Sequence, residues 1–354
     1  MRILISGSSS WPIWKFRKIF LKTLEDTNNK LFFLLNDDLY LHKIKLNKIR
    51  FNKKKKFLAY LNLISYIKKN EVKIVLEYDL TNLIQHKIAK IFYRYDYRLI
   101  LIWAGLGSLY NNKGYFNLIE KIALRFFLKS CSDVILINKY DLEIVKNYLL
   151  HDKLRLIETE GFENKHTNRD KIKISNKSNY KFVSAFRPIK AKGIFEIANA
   201  AKFFQNYTFY VYIVPNNKNI KYNSKNINLS EFKKIKNLIF LDQVENLEDK
   251  LEKYDCLISA SYGEGFGLSI AEATLCGLPV ISTNVNGPRS IFRDESLIYV
   301  EAKSNQSLIK GIDKFKNLKV DQKKIMVENA KKDLSKINNK KIFKEINKVM
   351  NEIS

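Results

Sequence analysis

Two glutamates, Glu264 and Glu272, stand at the ends of a glycine-rich string, Glu264-Gly265-Phe266-Gly267-Leu268-Ser269-Ile270-Ala271-Glu272. The string follows an apolar run, Cys256–Ser259, and opens a helical pattern over Leu268–Leu275. Glycine at a strand-to-helix junction lets backbone N–H groups come close to a ligand. The helix amino terminus then favours an anion, most often phosphate. Gly263, Gly265 and Gly267 alternate, so the spacing is not that of the dinucleotide G-x-G-x-x-G loop. A carboxylate beside phosphate needs a task of its own, and accepting hydrogen bonds from sugar hydroxyls is the natural one. Glu272 falls about one turn into the helix, on a face able to meet a second set of hydroxyls. Either glutamate alone reads as a solvated surface residue. Taken whole, the segment suits a ligand with hydroxyls at both ends and phosphate between, which is the layout of a nucleotide sugar.

The elements that must position this segment are legible as short apolar runs alternating with helical patterns. In the first half, strands are expected at Ile3–Ser6, Leu31–Leu35, Val72–Leu76, Leu99–Trp103, Val134–Asn138 and Leu154–Ile157. Helices are expected at Pro12–Leu24, Lys56–Ile67, Leu83–Tyr93, Asn117–Leu128 and Tyr140–Leu149. Apolar runs without alternation suit strands buried on both faces, as in a parallel sheet covered by helices. A polar stretch, Asn164 to Asn179, reads as a linker. The pattern then restarts, with strands expected at Phe182–Ala185, Phe209–Val214, Leu238–Leu241, Cys256–Ser259, Val280–Ser282 and Leu297–Val300. Helices are expected at Ile194–Phe204, Leu247–Tyr254, Leu268–Leu275 and Leu308–Phe315, and the last 30 residues form one more basic helical segment. The expected architecture is α/β. It comprises an amino-terminal Rossmann-like domain over 1–163, a linker over 164–179 and a second Rossmann-like domain over 180–330. The closing segment, 331–354, is expected to pack back towards the first domain. Ligands of such sheets bind at the carboxyl ends of the strands, here in a central cleft.

Composition excludes several classes. Of 354 residues, 46% are hydrophobic and 13% aromatic, which excludes a disordered or fibrous chain. Three cysteines, Cys131, Cys256 and Cys276, lack paired spacing, which argues against a disulfide scaffold or a cysteine-type zinc site and for a reducing compartment. The amino terminus is too short in apolar residues for a signal peptide, and the longest apolar run, Leu99 to Tyr110, is broken by Gly105 and Gly107. A cytoplasmic protein is expected, bound to a membrane at most by its surface. The net charge is +27. Abundant Lys, Asn, Ile, Phe and Tyr fit codon bias in an AT-rich genome; attraction to an anionic membrane or a phosphorylated substrate is the second reading. Nucleic acid is the third and least favoured, because no recognition motif accompanies the charge.

The string from Glu264 to Ala273 resembles the E-x7-E motif of retaining glycosyltransferases of family 4, bacterial surface-polysaccharide type, which have the two-domain GT-B fold. The resemblance extends through Cys276-Gly277-Leu278-Pro279-Val280-Ile281 and Asn286-Gly287-Pro288-Arg289, where Arg289 and Ser290 depart from the commoner residues. Arg187-Pro188-Ile189-Lys190-Ala191-Lys192-Gly193 is similar to the family's GRLxxxKG segment. The resemblance implies that Arg187 and Lys192 hold the donor diphosphate. A planar fork and a mobile point charge would neutralise the departing nucleoside diphosphate. It gives Glu264 the donor sugar, Glu272 the ribose, and Gly265, Phe266, Gly267 and Leu268 the binding turn. Val244, in Asp242-Gln243-Val244, matches a loop that reads the base. Val214-Pro215-Asn216-Asn217 replaces the glycine-containing turn usual before it.

In the first domain, Gly7-Ser8-Ser9-Ser10-Trp11 stands where relatives have a richer glycine loop near the donor phosphates. Trp103-Ala104-Gly105-Leu106-Gly107 resembles a GLG loop, and Gly105 and Gly107 are assigned to the acceptor side. Trp103 and Ala104 replace the histidine common there, and His42, His86, His151 and His166 match no motif. Asn138 and Gly161 match family positions loosely. The implied reaction moves a sugar from a nucleotide donor to an acceptor hydroxyl with retained configuration, without metal or cofactor. UDP-hexose or UDP-N-acetylhexosamine is the preferred donor and GDP-mannose an open one. The expected acceptor is a glycan or lipid-diphosphate-linked saccharide of O-antigen or capsule synthesis, met at the anionic cytoplasmic face of the bacterial inner membrane. Lys53-Lys54-Lys55-Lys56, the stretch Phe57 to Lys69, and Ile88 to Tyr95 are the basic and aromatic segments that suit such a surface. Two rivals are a nucleotide-sugar epimerase of the same architecture and a non-catalytic basic protein that binds membrane or nucleic acid.

Overall fold

The computed structural model describes the chain with the exception of residues 8–9, 27–28, 36–40, 42–49, 54–58, 94–95, 107–114, 149–153, 158–173, 214–226, 243, 338–343, 346 and 351–354. Two compact units are present, one formed by Met1–Glu163 with Asn338–Ser354 and the other by Asn164–Ile337. Ser8, Ser9, Lys54–Phe57, Gly107, Gly161, Val214–Asn217, Gln243 and the first ten residues of the expected linker lie outside the described residues.

The first unit contains strands β1 (Arg2–Ser6), β2 (Lys30–Leu35), β3 (Arg50–Lys53), β4 (Ile74–Glu77), β5 (Arg98–Trp103), β6 (Asp133–Leu136) and β7 (Leu154–Leu156). Helices α1 (Ser10–Asp26), α2 (Ala59–Lys69), α3 (Leu83–Tyr93), α4 (Leu118–Leu128) and α5 (Lys139–Tyr148) connect them. The sheet order is β3-β2-β1-β4-β5-β6-β7, parallel throughout, with Ile3 opposite both Leu31 and Ile74. Ile3, Leu4, Ile5, Val75, Leu99 and Ile100 are fully buried, as continuous apolar runs between two helix layers require. Asp133, fully buried at the head of β6, accepts from Arg98 on β5 and Arg155 on β7, at 2.5 and 2.8 Å, and ties three strand ends together. His86 is also fully buried: Nε2 meets Glu77 Oε2 at 3.1 Å and Nδ1 meets Tyr97 Oη at 2.9 Å.

Strand β3 is absent from the sequence reading, which follows apolar runs. An edge strand pairs along one side only, and Arg50–Lys53, pairing with β2 alone, needs no such run. The strand expected over Val134–Asn138 ends at Leu136, because Asn138 turns to start α5, its Oδ1 accepting from the Asp141 N–H at 2.8 Å.

The second unit contains β8 (Lys181–Phe186), β9 (Thr208–Ile213), β10 (Leu238–Leu241), β11 (Cys256–Ser259), β12 (Val280–Thr283) and β13 (Ile298–Val300). Its helices are α6 (Ile194–Phe203), α7 (Leu268–Leu275), α8 (Asn286–Ile291), α9 (Asn305–Asn317) and α10 (Val320–Ser335). The order β10-β9-β8-β11-β12-β13 is again all parallel. Phe182, Phe209, Ile258, Ile281 and Phe315 lie in its core. The segment expected as a helix over Leu247–Tyr254 is a 3-10 helix, Leu247–Lys253. Seven residues between two strands gain few i→i+4 bonds, and tighter i→i+3 turns close the connection. Helix α8 has no apolar period to announce it; Pro288 sits in its first turn, where a missing N–H costs nothing.

In both sheets the chain winds outward from a central strand and then reverses. The reversal falls between β1 and β4 in one unit and between β8 and β11 in the other. Loops leaving the carboxyl ends of those strands are where a doubly wound sheet leaves a crevice.

Candidate active site

The loops after β8 and β11 flank the reversal of the second sheet, and both carry the residues singled out from the sequence. After β8 comes exposed Arg187, then a 3-10 turn, Lys190–Lys192, then Gly193 at φ +75° as the first cap of α6. A Cβ at Gly193 would stand 2.1 Å from the carbonyl oxygen of Ala260, so only glycine lets the two loops meet. A backbone bond from Tyr262 N to Ala191 O, 2.8 Å, completes that meeting.

The loop after β11 runs Ala260 to Gly267 and enters α7 through Gly267, at φ +93°. Its course is fixed from three sides. Thr283 Oγ1, at the end of β12, donates to Ser261 O at 2.6 Å. The Gly287 N–H of α8 donates to Glu264 O at 3.0 Å, and a Cβ at Gly287 would lie 2.6 Å from that oxygen. Tyr262 Oη donates to Glu196 Oε1 at 2.9 Å; Glu196 is a buried residue in the first turn of α6. That bond and burial raise the Tyr262 hydroxyl well above its ordinary pKa, burial contributing most.

This framework presents Glu264 to Lys192. Lys192 Nζ donates to Glu264 Oε1 at 2.6 Å and Ser261 Oγ donates to the same oxygen at 2.7 Å. The two charged side chains are 17% and 20% exposed, so water screens the pair only in part. Burial by itself would push the Glu264 carboxyl up. Lys192, Ser261 and the Arg187 charge outweigh it and hold the pKa below the ordinary value of 4.5. The site thus keeps an ionised carboxylate among two cations and a hydroxyl at the mouth of a helix amino terminus.

The structure therefore brings Glu264 and Lys192 into contact, with Arg187 near enough for its charge to act on Glu264. The sequence reading gave Lys192 to a phosphate and Glu264 to a sugar as separate tasks; here they are ion-paired. Phe266 and Gly267 are buried in the turn, Gly265 and Leu268 half-buried. Glu272 lies half-buried one turn on from Leu268, on the same face of α7. Val244 is a half-buried residue just past β10. Gly7 and Gly105 belong to the first unit, directly after β1 and just past β5, and Leu106 N is held by Asp141 Oδ2 at 3.3 Å. Ser261, Thr283 and Glu196 carry no role in the sequence reading. For Ser261 the signal is its place three residues before Glu264 at a strand end. Thr283 and Glu196 act through contacts between distant elements, which one sequence does not show. Among the described residues, no group of three or more His, Cys, Asp or Glu is gathered as a metal site.

Residues 164–333 match the family described as glycosyl transferases group 1. The curated relative O-antigen biosynthesis glycosyltransferase WclY of Escherichia coli is 32% identical over 99 residues, 28% of this chain and 27% of that protein. The match therefore spans about a quarter of the relative's length. Solved structures align along the whole chain. Sucrose-phosphate synthase from Thermosynechococcus elongatus has a TM-score of 0.77 at 13% identity, covering 100% of this chain and 99% of its own. HepE from Anabaena, solved in complex with UDP and glucose, has a TM-score of 0.76 at 14% identity, covering 100% of each chain. The fold is GT-B, two parallel-stranded Rossmann-like units, and the match to the glycosyl transferases group 1 model falls within the second unit.

Proposed function

We propose that the chain is a retaining hexosyltransferase of the family 4 type. It transfers a sugar from a nucleotide donor to a glycan or lipid-diphosphate-linked saccharide in bacterial O-antigen, capsule or related polysaccharide synthesis. The observation that carries the reading is the Lys192–Glu264–Ser261 constellation beside Arg187 at the start of α7. A lysine ammonium has three donors, and one is spent on Glu264. The other two, with the Arg187 guanidinium and the N–H groups opening α7, suit the oxygens of a diphosphate. Glu264, kept ionised, accepts from hydroxyls of the donor sugar, and Glu272 accepts from the ribose. Val244 lies against the base, Gly7 is given to the donor, and Gly105 and Gly107 are given to the acceptor.

In the reaction the bond from the anomeric carbon to the phosphate oxygen breaks, and the acceptor oxygen bonds to that carbon on the same face. The acceptor proton passes to the departing phosphate. Arg187 and Lys192 stabilise the charge that grows on the nucleoside diphosphate. A UDP-hexose or UDP-N-acetylhexosamine is the preferred donor and GDP-mannose the alternative. The WclY relative and the HepE neighbour support the reading. The protein works without a cofactor at the cytoplasmic face of the inner membrane.

The test is turnover of a panel of UDP- and GDP-sugars with and without a lipid-linked acceptor, with the product's anomeric configuration read by NMR. Acceptor-dependent transfer with retention is expected. Interconversion of the free sugar nucleotide without acceptor would replace the reading with an epimerase.

A further inference from the structure

Helix α4 is apolar on two opposite sides. Leu124 and Leu128 are buried in the core of the first unit. On the opposite side, in a row at helical spacing, stand Leu118 and Ile119, 72% and 79% exposed, followed by Ile122 and Phe126, each at least half exposed. Neighbouring helix α3 adds Ile84 and Ile91, also exposed, seven residues apart on one face. Lys87 joins the rows, its ammonium 4.7 Å from the centre of the Phe126 ring. Six large apolar side chains are thus exposed on two adjoining helices, and exposed apolar surface of this kind marks an interaction surface.

The charges around the patch identify the occupant. Arg125 and Lys129 are exposed on the same side of α4. Helix α3 contains no acidic residue, and the one acid of α4, Glu120, is engaged at the helix start, accepting from Asn117 N at 2.9 Å. A second copy of the chain would set Arg125, Lys129 and Lys87 against their own like in a symmetric interface, with +27 facing +27. An anionic bilayer complements every one of these charges, and its acyl boundary takes the apolar row. No described helix is long and apolar enough to cross a membrane, so the contact lies in the interface plane.

We propose that the outward faces of α3 and α4 dock the chain on a bilayer of anionic phospholipid. Leu118, Ile119, Ile122 and Phe126 enter the acyl boundary, and Lys87, Arg125 and Lys129 meet the headgroups. The sequence reading pointed to Lys53–Lys56, the stretch Phe57 to Lys69 and Ile88 to Tyr95; only the last of these overlaps the face proposed here, through Ile91 on α3. The inference draws on the proposed sugar transfer only for its purpose, since lipid binding and nucleotide binding are measured separately.

The test is co-sedimentation of the full chain with vesicles of phosphatidylglycerol and phosphatidylcholine, and with phosphatidylcholine alone. Binding to the anionic vesicles is expected, and weaker binding to the neutral ones. The pair Ile119→Glu and Phe126→Glu is expected to weaken binding at least about tenfold, and the pair Arg125→Glu and Lys129→Glu to do so on anionic vesicles. Ile122→Ser, a milder change, moves the same way. Unchanged thermal unfolding and unchanged UDP affinity in these variants would show that only the surface was altered. Failure of the wild type to bind anionic vesicles would overturn the proposal. So would variants that bind like the wild type, or a wild-type dimer that the apolar pair dissociates without any vesicle binding.

Discussion

At Glu264 burial and charge pull in opposite directions, and the charges of Lys192 and Arg187 with the Ser261 hydroxyl prevail. Because the folded pKa lies below the ordinary 4.5, the stabilisation is complete above that value. It is lost as pH falls through the lowered native pKa. Lys192→Met should therefore cost about 1–2 kcal/mol at neutral pH, discounted for the pair's partial exposure, and flatten the loss of stability below pH 4.5. Urea unfolding at neutral and acid pH checks both. A second residue behaves differently. His86 joins Glu77 and Tyr97 in full burial, so its work is structural. His86→Ala removes the buried ring's contacts with Glu77 and Tyr97 and should destabilise the chain by about 3 kcal/mol with unchanged nucleotide affinity. Chemical unfolding and calorimetry separate these two effects.

Elements hold those residues by close backbone approach. The turn before α6 fits against Ala260 only because Gly193 has no Cβ, and α8 fits against the Glu264 loop only because Gly287 has none. Gly193→Ala meets both a clash and a strained φ and should cost about 2–4 kcal/mol, read as a lower urea midpoint. These elements also explain what was legible in the sequence. Leu83–Tyr93, Leu238–Leu241, Cys256–Ser259 and Leu268–Leu275 are found at the expected bounds, because buried runs and helical periods are written locally. The turn around Gly265 and Gly267 was legible from glycine spacing at a strand end. Strand β3, the 3-10 form of Leu247–Lys253 and the support from Thr283 and Glu196 were not. Pairing partners, turn tightness and cross-element hydrogen bonds depend on residues far away in the chain.

The same six-strand order occurs in both units, with β7 added at one edge of the first sheet, and each sheet reverses after its third strand. The charged loops of the second unit gather at its reversal, so position in the topology and residue chemistry agree there. The charge of +27 needs a separate account, because a basic chain attracts polyanions whatever its site does. A diphosphate held by Arg187 and Lys192 should lose no more than about tenfold in affinity between about 50 and 200 mM salt. A polyanion held through six or more phosphates would lose about a thousandfold or more. Titration of a UDP-sugar across that range tells them apart.

Calorimetric binding of UDP-sugars and GDP-sugars to the wild type, Arg187→Ala and Glu272→Ala proteins tests the central claim most directly. Selective binding of one nucleotide class is expected, weakened at least about tenfold by either substitution, a loss of about 1.4 kcal/mol or more. Equal affinity in all three proteins would contradict the placement of the donor at the loops after β8 and β11.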